Sequence, residues 1–201
     1  MKEEAVKYYH TNGENFCIIP TGFDHHLFKG EGEKEEMVFT ASLGHTWDRV
    51  RLKGVDTFVK AAKYLPEIKF VVNGTTGEAL EKLKKIASDN VEFVGPVAFD
   101  ELLKLFQKSK VYCQLSMREG LPTAVCEAML CECVPVGTDR FGIPVAIGDS
   151  GFYASYGDVE ETVDAIKKAL KSDGILARER VKSLFPWEVR KKGLLELIQK
   201  L

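Results

Sequence analysis

The stretch from Val111 to Cys133 constrains this chain most. Val111-Tyr112-Cys113-Gln114-Leu115-Ser116 is short and mostly apolar, the pattern of a buried strand. Arg118-Glu119-Gly120-Leu121 then turns, and Pro122 pre-sets the backbone for a helix that runs on through Ala124, Met129 and Leu130. A strand, a tight Gly-containing loop and a helix start place a ligand at the C-terminal edge of a parallel sheet. The helix is apolar on nearly all sides, so it is expected to be buried. Glu127 interrupts it, and an ionised carboxylate there is costly unless something bonds to it. A polyol ligand meets that need, because a carboxylate accepts from neighbouring hydroxyls.

The same alternation extends both ways along the chain. Strands are expected at Phe16–Pro20, Met37–Leu43, Ile68–Val72, Val91–Val94, Lys110–Leu115, Val134–Gly137 and Phe152–Tyr153. Helices are expected at Lys2–His10, Val55–Leu65, Glu78–Ser88, Phe99–Lys108, from Pro122, and at Val159–Lys171, Leu176–Leu184 and Trp187–Lys200, with Asp100 capping the Phe99 helix. Thr21–Asp24 and Gly142–Pro144 read as turns, Asn73-Gly74 as an exit from its strand, Glu31–Glu36 as a solvated linker, and Gly44–Lys53 as a loop. Alternating strands and helices predict an α/β fold, a doubly wound, Rossmann-like parallel sheet covered on both faces. The 201 residues suit one domain of ordinary size.

A net charge of −2 gives no general affinity for nucleic acid or an anionic membrane. No stretch is long and apolar enough to span a bilayer, and the first residues lack a signal peptide's pattern. The cysteines are odd in number, at 17, 113, 126, 131 and 133, and four of them lie in apolar context, as reduced thiols of a cytoplasmic protein do. Cys131 and Cys133 have no second close pair with zinc spacing, so no metal site is expected.

Glu119 precedes the helix and Glu127 lies within it, eight positions on, so the pair can face one cleft and grip hydroxyls at two points of an elongated ligand. A solvated loop carboxylate beside a structural one is the alternative. Gly120-Leu121-Pro122-Thr123 leads to free backbone N–H groups at the helix start, which attract phosphate; an ordinary turn reads the same way. Arg49, Arg51 and Lys53 alternate, so in an extended loop all three cations point one way, toward a diphosphate or simply toward water. His25 and His26 suit the surface, and His45 follows a strand end where a ligand is within reach. No P-loop, G-x-G-x-x-G or Ser-His-Asp order occurs in a fitting context.

With these residues in view, the chain resembles the C-terminal, donor-binding half of a GT-B glycosyltransferase of family 4, the retaining group. Ile18-Ile19-Pro20-Thr21-Gly22-Phe23-Asp24 resembles that family's I-P-N-G-V-D, and Lys53-Gly54-Val55-Asp56 its K-G-V-D. Val91-Glu92-Phe93-Val94-Gly95 resembles its strand ending in F-x-G. Glu119-Gly120-Leu121-Pro122 through Glu127 fits its E-x7-E signature. Val134 to Asp139, Gly142-Ile143-Pro144 and Phe185-Pro186-Trp187 resemble its C-x-P-V-V-x-T-D, G-G-x-P-E and aromatic-Ser-Trp segments.

The resemblance implies roles. Glu127 would bond the ribose of a nucleoside-diphosphate sugar and Glu119 the transferred sugar. Lys53 would stabilise the diphosphate, with the backbone around Gly120, Leu121, Pro122 and Thr123 near phosphate and sugar. Gly95 to Val97 would hold the base. No bound metal or other cofactor is expected, since cations and the helix dipole take the leaving-group charge. Two departures stand out. Asp48 replaces the Arg of the family's G-R-L in a longer loop, leaving Arg49 or Arg51 to supply that cation, and Val145-Ala146 replaces the Glu of G-G-x-P-E. Residues 1–15 are then an interdomain linker or helix and residues 16–201 the donor domain. The N-terminal acceptor domain would precede residue 1, so the sequence reads as a fragment that is inactive alone. The full enzyme would be cytoplasmic, peripheral to a membrane if its acceptor is a lipid-linked glycan rather than a free sugar. Two alternatives stay open: a regulatory module that binds the nucleotide without transfer, and a nucleotide-sugar epimerase of related fold.

Overall fold

The computed structural model describes residues 17–199. The helix expected at Lys2–His10, the linker through residue 15 and the first residue of the Phe16–Pro20 strand lie outside them. Six strands form one sheet: β1 Glu35–Gly44, β2 Lys69–Thr75, β3 Val91–Val94, β4 Ser109–Gln114, β5 Val134–Thr138 and β6 Phe152–Ala154. Their order is β3-β2-β1-β4-β5-β6, and every pairing is parallel. Between them run α1 Trp47–Leu52, α2 Val55–Ala62, α3 Gly77–Ile86, α4 Phe99–Lys108, α5 Thr123–Leu130, α6 Ile143–Ile147 and α7 Val159–Leu170. Two further helices, α8 Ile175–Leu184 and α9 Trp187–Ile198, follow.

Alternation along each strand explains the two covered faces. Val38, Phe70, Val72, Val111, Cys113 and Val136 pack against α2, α3 and α7. Phe39, Val71 and Tyr112 turn the other way, against α4, α5 and α8. On this second face Phe39, Phe106 and Tyr112 meet edge to face, with ring centroids 5.5 to 5.7 Å apart.

Local chemistry moved several boundaries. The Gly44–Lys53 loop contains a helix, α1, capped by Thr46, whose hydroxyl accepts from the Arg49 amide. Asn73-Gly74 stays within β2, because the Asn73 side chain is buried and donates to the Gly95 carbonyl at 2.7 Å. Gly142 opens α6 instead of a free turn, with Pro144 in its first turn. Asp100 lies in the first turn of α4, where it complements the helix dipole, while Ala98 holds the cap position. Glu35 and Glu36, assigned to the linker, begin β1. Residues 17–20 pair with no strand; a β-bridge from Phe23 to Pro186 and the Arg190 guanidinium, which donates to the Pro20 carbonyl at 3.1 Å, tie the segment in. An apolar run of this length fits an extended connector as well as a strand, and periodicity alone does not separate them. The turn falls at 24–27, where Asp24 Oδ1 accepts from the His26 and Leu27 amides.

Cys113, Cys126, Cys131 and Cys133 are buried and Cys17 is exposed. Burial pushes the Cys126 and Cys131 thiols up to about 12 and Cys133 to about 11, so their reactive thiolates are scarce near neutrality. Titration with a thiol reagent is expected to modify Cys17 quickly and the other four only on unfolding. A second fast thiol in the native protein would contradict this packing.

Candidate functional site

The sheet reverses its winding between β1 and β4, which are neighbours in space but whose connecting helices cover opposite faces. A crevice opens at such a switch point, outside the C-terminal ends of the strands. Most of the buried polar side chains lie toward those ends: Thr40 and Ser42 on β1, Asn73 and Thr75 on β2, Gln114 at the end of β4, Ser116 just past it, and Thr138 closing β5. Ser42 Oγ has no hydrogen-bond partner among the described residues.

Lys53 follows β1 and α1; Glu119 follows β4. Their side chains meet across the switch point, with Lys53 Nζ donating to Glu119 Oε1 at 2.5 Å. They are 20% and 16% exposed, so the pair is sheltered yet reachable. Gln114 Nε2 also donates to Glu119 Oε1, at 3.0 Å, and to Ser116 Oγ at 2.7 Å. Thr138 Oγ1 in turn donates to the Ser116 carbonyl at 2.7 Å. Glu119 is thus held by a cation and an amide, and an ammonium with three N–H donors keeps two for other acceptors.

Backbone contacts lock the two loops together. The Met117 amide donates to the Leu52 carbonyl at 2.8 Å, and the Gly142 amide to the Glu119 carbonyl at 3.1 Å. Gly54 has φ +68° and lies against the Leu115 backbone, so conformation and space both demand glycine there. Gly142 likewise has no room for a side chain beside the Gly120 backbone. At Gly120 itself a Cβ would meet nothing within 4 Å, so the protein leaves that point of the loop open.

Glu127 is half-buried in the middle of α5 and forms no hydrogen bond or ion pair with the described residues. Burial raises its carboxyl above the ordinary value. At the start of the same helix Pro122 provides no side-chain cap, and the first intrahelical bond of this turn runs from the Cys126 amide to the Pro122 carbonyl at 3.4 Å. The earlier amides, from Thr123 on, therefore remain open to a ligand. Leu121 packs against the second core, and Thr123 is exposed. Gly95 and Val97 lie past the end of β3, on the far side of β2, with the Gly95 carbonyl fixed by Asn73.

The expected single line of cations does not form. Arg49 and Arg51 sit two positions apart in the α1 helix, where successive side chains rotate by about 100° and such a pair diverges. Arg49 leans over Gly44, and both arginines are exposed. Only Lys53 turns into the Glu119 contact. His45 Nδ1 lies 2.5 Å from Thr76 Oγ1, on the β2 side. Sequence reasoning passed over Gln114, Ser116 and Thr138; the available signal was a polar side chain closing each apolar strand.

One cation, two carboxylates and free helix amides together suit a ligand that carries both hydroxyls and phosphate. The family model described as "Glycosyl transferases group 1" matches residues 28–183. A phosphatidylinositol N-acetylglucosaminyltransferase component from Arabidopsis thaliana is 24% identical over 211 residues, covering 92% of this chain and 46% of that protein. Anabaena HepE in complex with UDP superposes with a TM-score of 0.85 at 18% identity, covering 99% of this chain and 61% of that one. Sucrose-phosphate synthase from Thermosynechococcus elongatus gives 0.82 at 22% identity, covering 99% and 56%. The chain thus spans about half the length of the relatives it matches. No helix among the described residues is long and apolar enough to cross a membrane.

Proposed function

The chain belongs to the glycosyl transferases group 1 family, and from that premise we propose that it is the donor-binding half of a retaining glycosyltransferase that takes a nucleoside-diphosphate sugar. The observation that carries this reading is the Lys53–Glu119 contact at the sheet's switch point, one loop before the unpartnered Glu127. In this reading Glu127 accepts from the ribose hydroxyls. The open amides from Thr123 onward and the spare donors of Lys53 face the diphosphate, with the Gly120, Leu121 and Pro122 backbone alongside. Glu119 holds the transferred sugar, Gly95 and Val97 border the base, and Arg49 or Arg51 adds charge near the phosphates. These cations and the helix dipole take up the leaving-group charge without a metal ion.

An acceptor-binding domain completes the enzyme, so transfer requires more than these residues. The relative named for phosphatidylinositol supports a lipid acceptor, and with it a full-length protein that works at a membrane surface.

Thermal unfolding of this chain against UDP, GDP, ADP and their hexose conjugates tests the reading. A ligand at 100 times its Kd stabilises the fold by about 2.7 kcal/mol, roughly 5–11 °C for a domain of this size. The nucleotide that binds identifies the base, and the absence of any shift across the panel would sink the proposal.

A further inference from the structure

The arginines of this chain divide into two groups. Arg178, Arg180 and Arg190 each donate to backbone carbonyls and brace the fold. Arg49, Arg51, Arg118 and Arg140 have no side-chain hydrogen bond or ion pair with the described residues, and all four lie near the C-terminal edge of the sheet, on α1 or in the loops after β4 and β5. Two of these rest on aromatic rings. The Arg118 guanidinium stands 5.0 Å from the Phe141 ring centre, and that of Arg140 stands 5.8 Å from Tyr156. Stacking fixes the plane of a guanidinium and leaves its N–H edge free for a bidentate acceptor.

The loops that carry this pair are laced to one another. Gly142 bonds Glu119, Met117 bonds Leu52, and the Tyr156 hydroxyl donates to the Arg51 carbonyl at 2.7 Å. Phe141 has φ +51°, a conformation costly for an aromatic residue, yet the residue is 45% exposed. Where the resembling G-G-x-P-E segment carries its first glycine, this chain thus holds a side chain at the rim. Each arginine adjoins an acid in sequence, Glu119 and Asp139, yet neither pairs with its neighbour among the described residues, and Glu119 bonds Lys53 instead. A strained, exposed ring that carries an unpaired arginine adds nothing to the core, which points to a ligand.

We propose that Arg118 and Arg140 form a second oxyanion site, for a phosphate ester carried by the acceptor. The inference rests on the donor reading above. In that reading the base lies at the β3 side and the sugar at Glu119, after β4. Groups beyond the sugar then extend from the loop after β4 toward those after β5 and β6, the side on which Arg118 rests on Phe141 and Arg140 on Tyr156. The donor diphosphate is met by Lys53 and α5, so the pair is free for a different anion.

Calorimetry tests the site on this chain, loaded with whichever neutral-hexose nucleotide the thermal panel selects. Inorganic phosphate is expected to bind the loaded protein, and the double variant R118Q/R140Q to bind it about tenfold or more weakly with donor affinity unchanged within about twofold. Both side chains are exposed and form no hydrogen bond or ion pair with the described residues, so the variant retains the fold; an unchanged unfolding temperature checks this. R118K/R140K keeps charge but loses the fork and should fall between the two.

Phosphate binding that the donor abolishes, or that the double variant leaves intact, overturns the site. So does a donor affinity that falls in parallel, or a tenfold preference for a nucleotide uronate that the double variant removes, since each assigns the pair to the donor. If phosphate binds as expected and no nucleotide does, the donor reading fails while the oxyanion site stands. If donor binds and phosphate does not, the reverse holds. Glycerol 3-phosphate, and phosphatidylglycerol vesicles against phosphatidylcholine ones, separate a soluble ester from a lipid headgroup. Binding to either that is lost in R118Q/R140Q upholds the site, and loss of neither overturns it.

Discussion

Alanine at Glu127 is expected to weaken nucleotide binding by about 1.5–3 kcal/mol, the worth of hydrogen bonds to a charged group, or roughly 10- to 160-fold in Kd. The carboxylate is half-buried without a partner among the described residues, so on the proposed reading its desolvation is already incurred and the ribose bonds would be gained on binding. Calorimetry with the nucleotide chosen by the thermal panel measures the loss, and an unchanged affinity removes Glu127 from the site. The pH dependence follows from the same burial. The bonding form is the ionised one, and burial raises the carboxyl's pKa, so affinity should begin to fall on acidification at a higher pH than an exposed glutamate would cause.

Stability runs the opposite way. A carboxyl whose folded pKa lies above its unfolded value leaves the folded state holding more protons between the two. The stabilising effect is complete below the unfolded pKa and is lost as pH rises through the folded one. Glu127→Gln should therefore raise stability at neutral pH while it weakens the nucleotide and flattens the acid limb of binding, as expected of a residue kept for function.

Alanine at Lys53 is expected to cost a nucleoside diphosphate about 1.5–3 kcal/mol while leaving the parent nucleoside nearly unaffected, because the ammonium acts on charge. In a full-length enzyme of the proposed kind the same change should lower kcat by about 100- to 1,000-fold, the scale for removing one stabiliser of a developing anion. Glu119 keeps its Gln114 bond in this variant, so the carboxylate is not abandoned altogether. Equal losses for nucleoside and diphosphate would contradict a phosphate role and reduce Lys53 to a support for Glu119.

Much of the fold could be read from local pattern. β3 and α4 have the boundaries expected from Val91–Val94 and Phe99–Lys108, since alternation and an amphipathic stripe each leave a clear period. α1 escaped because Trp47-Asp48-Arg49-Val50-Arg51-Leu52 is too short to show one. Reading it as extended put three cations on one side, and a helix separated them. Glu119, Glu127 and Lys53 were singled out from spacing and resemblance. Gln114, which holds Glu119, and the ring-bound Arg118 and Arg140 carry no local mark that separates them from ordinary polar residues.

The sequence by itself determined the longer strands and helices from β1 onward and the faces they bury, though not the short α1 and α6, because the period of apolar residues records how each longer segment meets the core. It also named the two acids and the lysine. Only the tertiary structure decided that Lys53 touches Glu119, 66 positions away, and that the loops after β1, β4 and β5 close into one rim. Those contacts follow from strand order, and the position of a strand in a sheet leaves no trace in the period of its own residues.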